Sequence, residues 1–405
     1  MRKMLAKIAL LSIAAILVLT SCGGGGGSKI ARLGNDFTFG MILVGPHNDH
    51  GWTQAHYDAG LYIEQQIPGA KMIYLENVYS GSPAYPGTTT SQLAEQLVAQ
   101  GAKLIIFNSD DMKDEATKFA QDHPDIYVIM ASGDQVWKDG NAYVAMPNMV
   151  NIMGRMEYGK MMAGCAAALT SQTGKIGYLG PLINDETRRL ASSAYLGAKH
   201  CWAQAGKDPA ALQFKVTWIG FWFNIPGVTS DPTQVADDFF NSGYDVVLSG
   251  IDTTEAITEA KKYNDAGTPV WAIPYDYKDA CSTAPGVCLG VPYFNWGPAY
   301  VATIQTAVDG DWKSNFQWNG PDWKNINNPD TSAVGFVNGT ALSADASAQL
   351  DQFISDLAGD LNLWAGPINL QDGTVYLANG VVATDQQIWY LPQLLEGMEG
   401  QSVSQ

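Results

Sequence analysis

The chain is short of what covalent catalysis usually requires. Its 405 residues include five histidines. No G-x-S-x-G, H-E-x-x-H, Walker A or G-x-G-x-x-G pattern occurs, so elbow-serine hydrolysis, zincin chemistry, phosphate-loop transfer and dinucleotide binding have no motif to rest on. Cysteine is equally sparse, at five. No C-x-x-C pair is present, which excludes the usual spacing for thiol redox chemistry and for a structural zinc. Positive charge is scarce too: 23 Lys and Arg stand against 40 Asp and Glu, a net charge of -17 at pH 7. An acidic surface repels phosphate backbones and anionic lipid, so nucleic acid is not an expected partner.

Three of the basic residues sit together at the start. Arg2, Lys3 and Lys7 precede the apolar run Ile8 to Leu19, which is too short to span a bilayer comfortably as a permanent helix. Leu19-Thr20-Ser21-Cys22 then has the form of a lipoprotein signal-peptidase site. The expectation is a signal peptide over 1–21, lipidation of Cys22 and a glycine-rich tether over 22–36. A plain secretory signal or a short membrane anchor is the alternative. Without residues 1–21 the chain keeps 384 residues, with 20 basic against 40 acidic side chains. That length suits two or three lobes with ample core.

Aromatic residues are plentiful at 11%, including twelve Trp. Such a supply serves cores and also stacking pockets. Cys281 and Cys288 bracket a six-residue loop and are expected to form a disulfide outside the cell membrane. Cys165 and Cys201 fall in helical patterns and read as buried thiols or a second bridge. Along the chain, short apolar runs alternate with amphipathic stretches. Strands are expected at Phe37 to Val44, Lys71 to Glu76, Leu104 to Asn108 and Ile126 to Ala131. Helices are expected at Trp52 to Gln66, Ser91 to Gln100 and Lys113 to Asp122. A second series follows a helix at Met153 to Thr170. Its strands are Lys175 to Leu179, Phe214 to Ile219, Asp245 to Leu248 and Val270 to Ile273, and its helices are Glu186 to Ala205, Thr233 to Asn241 and Thr254 to Ala266. Two such series predict an α/β protein of two doubly wound lobes with a ligand between them.

Several segments carry a resemblance. They are Val44-Gly45-Pro46-His47-Asn48-Asp49-His50-Gly51-Trp52-Thr53-Gln54-Ala55-His56, Tyr74 to Val78, Gly174 to Tyr178, Ile219 to Asn224 and Asn295-Trp296-Gly297-Pro298-Ala299-Tyr300. Near the end come Trp364 to Ile368, Asp372-Gly373 and Glu396-Gly397. In this order, over roughly residues 37–400, the chain resembles the basic membrane protein family of ABC-transporter substrate-binding lipoproteins. The resemblance implies a type I periplasmic-binding-protein fold, with two Rossmann-like lobes of parallel sheet joined by a three-crossover hinge. Lobe one is then expected over 37–147 and 276–325, and lobe two over 148–275 and 326–401. It also implies a purine nucleoside or purine base as ligand, an ABC permease as partner, a lipid anchor in the membrane, an extracytoplasmic location and no cofactor. A monomer is expected.

A purine needs aromatic faces and a few directional polar groups. Trp52 and Trp222 follow strands of different lobes and are expected to sandwich the ring. Strand C-terminal ends also place Ser109, Asp110 and Asp252 near the cleft. Asp49 lies in the loop before Trp52 and reads either as a ligand contact or as a turn and helix-cap residue. Thr53, His56, Asn295 and Trp296 join the expected ligand contacts through the family motifs. The resemblance also assigns Asp276 to the ligand, and a carboxylate accepts several N–H donors. One departure is plain. Nucleoside-binding members carry a lysine near Pro292 to Asn295, whereas this chain has Val291-Pro292-Tyr293-Phe294-Asn295. Its absence shifts weight from a nucleoside to a free base such as adenine.

Rival readings are a metal receptor built on His47, Asp49, His50 and His56, a receptor for a sugar-like ligand, a nucleoside-cleaving enzyme, and a sensor that presents its ligand to a membrane signalling protein. The enzyme reading lacks a tight aspartate cluster, and the chain is expected to be a non-catalytic receptor.

Overall fold

The computed structural model describes residues 30–403. The expected signal peptide, Cys22 and most of the tether lie outside the described residues. The elements run β1 (Phe37–Ile42), α1 (Trp52–Gln66), β2 (Ala70–Leu75), α2 (Thr90–Ala99), β3 (Ala102–Phe107), α3 (Lys113–Asp122), β4 (Tyr127–Met130) and β5 (Met149–Gly154). Next come α4 (Met156–Thr170), β6 (Lys175–Gly180), α5 (Asp185–Gln204), β7 (Gln213–Trp218), α6 (Pro232–Asn241), β8 (Val246–Ser249), α7 (Glu255–Asp265) and β9 (Trp271–Ile273). The remainder holds β10 (Gly290–Phe294), α8 (Gly297–Asp309), β11 (Phe316–Asn319), β12 (Val334–Asn338), α9 (Ala344–Ala358), β13 (Ile368–Asn369), β14 (Val375–Leu377), α10 (Asp385–Trp389) and β15 (Met398–Glu399).

Two parallel sheets organise the molecule. The first has the order β11-β5-β4-β3-β1-β2 and the second β15-β7-β6-β8-β9. Their central strands are buried on both faces, as Val128, Ile129, Ile105, Ile106, Val246 and Val247 show. That is why they read as unbroken apolar runs rather than alternating ones. Helix starts are written locally. Thr89 and Gln92 form a capping box on α2, Asn184 and Thr187 one on α5, and Asp231 caps α6 ahead of Pro232.

The chain passes between the lobes three times: at Arg155, between β9 and β10, and between β11 and β12. The last two passages are tied by the antiparallel pair β10–β12. At the first, the Arg155 amide donates to the Asn319 carbonyl at 2.7 Å, and its guanidinium lies 4.1 Å from the Trp318 ring centre.

Structure and pattern part company at two places. Met153 and Gly154, expected at the start of a helix, end strand β5 in the first sheet, and the helix begins at Met156. Strand β5 lies just beyond the 147/148 boundary expected between the lobes. A short apolar run has no period that separates a buried strand from a buried helix. Beyond Ile273 the pattern reading assigns no elements, and the structure holds six strands and three helices there.

Lobe two is stiffened where α4 crosses α5. A Cβ on Gly164 would lie 1.8 Å from the Ala194 carbonyl oxygen, and one on Gly197 2.0 Å from that of Met161. The two backbones are therefore in direct contact. Cys165 and Cys201 are bridged across this crossing, with Cα atoms 5.1 Å apart, and Cys281 is bridged to Cys288 at 5.5 Å. The buried Arg189 donates from Nε to Glu157 Oε1 at 2.7 Å in the same crossing. No helix among the described residues is long and apolar enough to cross a membrane. Gly197→Ala should force α4 and α5 apart and cost about 1–3 kcal/mol. Urea denaturation of the variant checks this, and an unchanged midpoint would remove the close crossing as a constraint.

Candidate functional site

A small cavity lies between the lobes. Lobe one contributes Trp52, Ser109, Asp110 and Ser132. Lobe two contributes Tyr178, Glu186, Thr187, Leu190, Trp222, Gly250 and Asp252, and Tyr275 comes from the end of β9. Almost all of these residues lie at, or just past, the C-terminal ends of parallel strands or on the helix turn that follows, where doubly wound sheets present their ligand groups.

The lobes are in contact around this cavity. A Cβ on Gly51 would fall 1.7 Å from the carbonyl oxygen of Asp252, so only glycine permits this approach. Tyr79 of lobe one packs edge-on against Phe223 of lobe two, with ring centres 5.3 Å apart. Asn184 Nδ2 reaches Asp110 Oδ2 at 3.5 Å. Trp52 is held rigidly: its indole N–H donates to the Asn108 carbonyl at 2.5 Å, and its ring meets Phe294 and Trp296 edge-on.

The cavity is lined by three carboxyl side chains, Asp110, Asp252 and Glu186. Burial pushes the carboxyls of Asp252 and Asp276 well above the usual range, and each aspartate also feels further carboxylates nearby. Burial likewise raises Glu186, to about 7. A lysine opposes Asp276. Lys160 of α4 is buried, donates from Nζ to the Ser249 carbonyl at 2.7 Å and sits 3.1 Å from the Tyr275 ring centre. Desolvation lowers it to about 7, with Asp276 pulling the other way. Both carboxylate oxygens of Asp276, and the Tyr275 hydroxyl, are buried without a hydrogen-bond partner. Buried polar groups are normally satisfied, so these three atoms form a candidate ligand position.

The expected residues divide. Trp52, Ser109, Asp110, Trp222 and Asp252 line the cavity. Asp276 sits at the crossover beside Tyr275, in left-handed backbone at φ 73°, with its N–H bonded to the Pro292 carbonyl and its own carbonyl accepting from Phe294. The others lie behind the wall. Asp49 spends its carboxylate on the N–H groups of Gly51, Thr53 and Gln54, fixing the start of α1. Thr53 Oγ1 accepts from Gly45. His56 is fully buried, shares a 2.7 Å hydrogen bond with the Tyr300 hydroxyl and stacks on Trp296 at 4.3 Å. Asn295 donates to the carbonyls of Pro329 and Ser332. His47 pairs with Glu76, away from His56. Among the described residues no group of three or more His, Cys, Asp or Glu is placed to hold a metal ion. Tyr178 closes the motif segment Gly174 to Tyr178, whereas Glu186, Tyr275 and Lys160 were not legible from motif. The strand-end rule applied to β6 and β9 points to Tyr178, Glu186 and Tyr275, while Lys160 lies inside a helix and carries no such signal.

Comparison with known proteins agrees with this architecture. The family profile Bmp, described as "ABC transporter substrate-binding protein PnrA-like", matches residues 37–326, and the chain belongs to that family. A purine-binding protein of Brucella abortus (strain 2308) is 29% identical over 352 residues, covering 86% of this chain and 89% of that one. A Haloferax volcanii protein, provisionally described as an ABC transporter glucose-binding protein, is 24% identical over 344 residues, covering 85% and 77%. Among solved structures, an ABC transporter solute-binding protein from Aeropyrum pernix K1 superposes with a TM-score of 0.62 at 12% identity, covering 87% of this chain and 95% of that one. The shared fold is the two-lobed type I periplasmic-binding-protein architecture.

Two predictions come from the cleft. Between pH 4.5 and about 7 the folded chain keeps a proton on Glu186 that the unfolded chain has released, so stability falls as pH rises through that window. Glu186→Gln should remove on the order of 1–3 kcal/mol of this slope. Denaturant titrations at pH 4.5 and 7.5 check it, and identical slopes in the two proteins would reject it. Gly51→Ala should hold the lobes apart. Small-angle scattering should then give a larger radius of gyration than the parent shows, and matching curves would mean that the contact does not limit closure.

Proposed function

We propose that this Bmp-family protein is a lipid-anchored, extracytoplasmic receptor that captures a purine between its lobes and delivers it to the permease of an ABC importer. The ligand is a base such as adenine, or a nucleoside. The observation that carries this reading is the pairing of aromatic walls from opposite lobes, Trp52 and Trp222, around a cavity whose polar lining includes the carboxyl groups of Asp110, Glu186 and Asp252. A purine offers a flat face to each tryptophan and N–H donors to Asp252 and Asp276. Each aromatic stack contributes about 1–3 kcal/mol, by analogy with readers of nucleic-acid bases. Because the contacts come from both lobes, binding favours the closed form by population shift. The receptor acts as a monomer and no covalent step occurs. The purine-binding relative from Brucella abortus supports the ligand class.

The strand β10, where nucleoside-binding relatives would supply a lysine, is buried here and carries Pro292, Tyr293 and Phe294. This favours the free base. The glucose-binding description of the Haloferax relative supports a second reading, a sugar, whose ring also stacks on tryptophan.

Thermal-shift screening of residues 29–405 tests these readings, since a ligand that binds only the folded state raises the melting temperature. Adenine is expected to raise it more than adenosine. A response to glucose with silence from every purine would overturn the purine reading. Trp222→Ala should weaken purine binding by about one to two orders of magnitude. Calorimetry showing an unchanged Kd would remove Trp222 from the site.

A further inference from the structure

Glu186 plays no part in the family motifs, yet it is a buried side chain of the cavity wall. It sits in the first turn of α5, two residues after the capping Asn184. Among the described residues, its carboxyl has neither an ion-pair partner nor a protein hydrogen-bond partner. The neighbouring cation on the same helix, Arg189, bonds through Nε to Glu157, lies 4.1 Å from the Trp389 ring centre and keeps Nη2 without a partner. Across the cleft stands Asp110 of lobe one, which lines the same cavity. Asn184 spans the gap to its Oδ2 at 3.5 Å, and Lys113 Nζ lies 3.3 and 3.4 Å from its two oxygens.

Two carboxyl groups, one from each lobe, therefore line the same cavity. A group with N–H donors placed between them can bond to both. That this is a ligand site rests on a separate observation, the buried Tyr275 hydroxyl that lines the same cavity without a partner.

We infer that Glu186, acting with Asp110, is the specificity-determining residue for the ligand's exocyclic group and selects a 6-aminopurine over a 6-oxopurine. This rests on the purine reading above. An amino group carries two N–H donors, and each carboxylate accepts one. A carbonyl in the same place sets acceptor against acceptor, an arrangement that excludes the wrong ligand through a desolvated, unpaired group. Bridging the pair also links the lobes, so the selected ligand is the one that closes the cleft.

The protonation state of Glu186 supplies a further handle. Burial is the main cause of its raised carboxyl. Asp110 and Glu157 push in the same direction, while Arg189 and Lys113 pull against it. As pH rises and the carboxylate forms, preference for the amino ligand should grow.

Calorimetry with adenine and hypoxanthine on the parent receptor and on Glu186→Gln tests the inference. The parent should bind adenine about 10- to 100-fold more tightly. The carboxamide of the variant both donates and accepts, so the ratio should shrink about tenfold or more. Equal affinities in the parent, or an unchanged ratio in the variant, would overturn the role of Glu186 and leave the purine reading intact. Failure of every purine to bind, with another solute bound, would overturn both together. If the variant does not fold by circular dichroism, the parent alone decides: its adenine-to-hypoxanthine ratio should rise from pH 6 to pH 8, and a flat ratio rejects the assignment.

Discussion

The backbone contact between Gly51 of lobe one and the Asp252 carbonyl of lobe two governs the cleft. It lets the two lobes meet with no side chain between them. That closeness seals the cavity, and sealing raises the carboxyls of Asp252, Asp276 and Glu186 by taking them out of water. In such a space a hydrogen bond to a ligand is stronger than it would be in solvent, and an unpaired acceptor is more costly. On the proposed reading, selectivity and closure arise from one geometric condition.

The acidic lining would be costly if the surrounding scaffold could relax around it. Lobe two resists relaxation through the glycine-mediated crossing of α4 and α5, the Cys165–Cys201 bridge and the buried Glu157–Arg189 pair. The same helix α4 carries Lys160, which brings a cation to the rear of the site against Tyr275 and the Ser249 carbonyl. Asp276 is fixed differently, by left-handed backbone bonded on both sides to β10. The site is therefore assembled from rigid parts, and the hinge is where freedom remains. Clustered, strongly shifted titratable groups in a cleft are a common mark of function, and here geometry and chemistry agree with that mark.

The motif residues have two different jobs, which only contacts separate. Trp52 faces the cavity, whereas Asp49, four residues from Thr53, caps the helix that carries Trp52. The segment around Gly51-Trp52-Thr53 and the segment around Asn295-Trp296 look like two independent ligand motifs in the sequence. In the structure His56 lies between Trp296 and Tyr300, so the two segments are one packed unit that positions the wall. Conversely, Glu186 and Tyr275 stand in stretches that carry no motif, and nothing local distinguishes them from core or surface. Their role depends on which strand ends converge, a non-local property.

The sequence by itself determined the α/β alternation, the two lobes and the tryptophan at each mouth. These rest on period, turn chemistry and residue type, which act over a few neighbouring positions. Tertiary structure alone decided that Met149–Gly154 is a strand of the first sheet, that Asp49 and His56 serve the scaffold, and that Glu186 and Tyr275 enter the cleft beside Lys160. Those outcomes depend on which groups lose water when two distant lobes close, and desolvation is set by the whole fold.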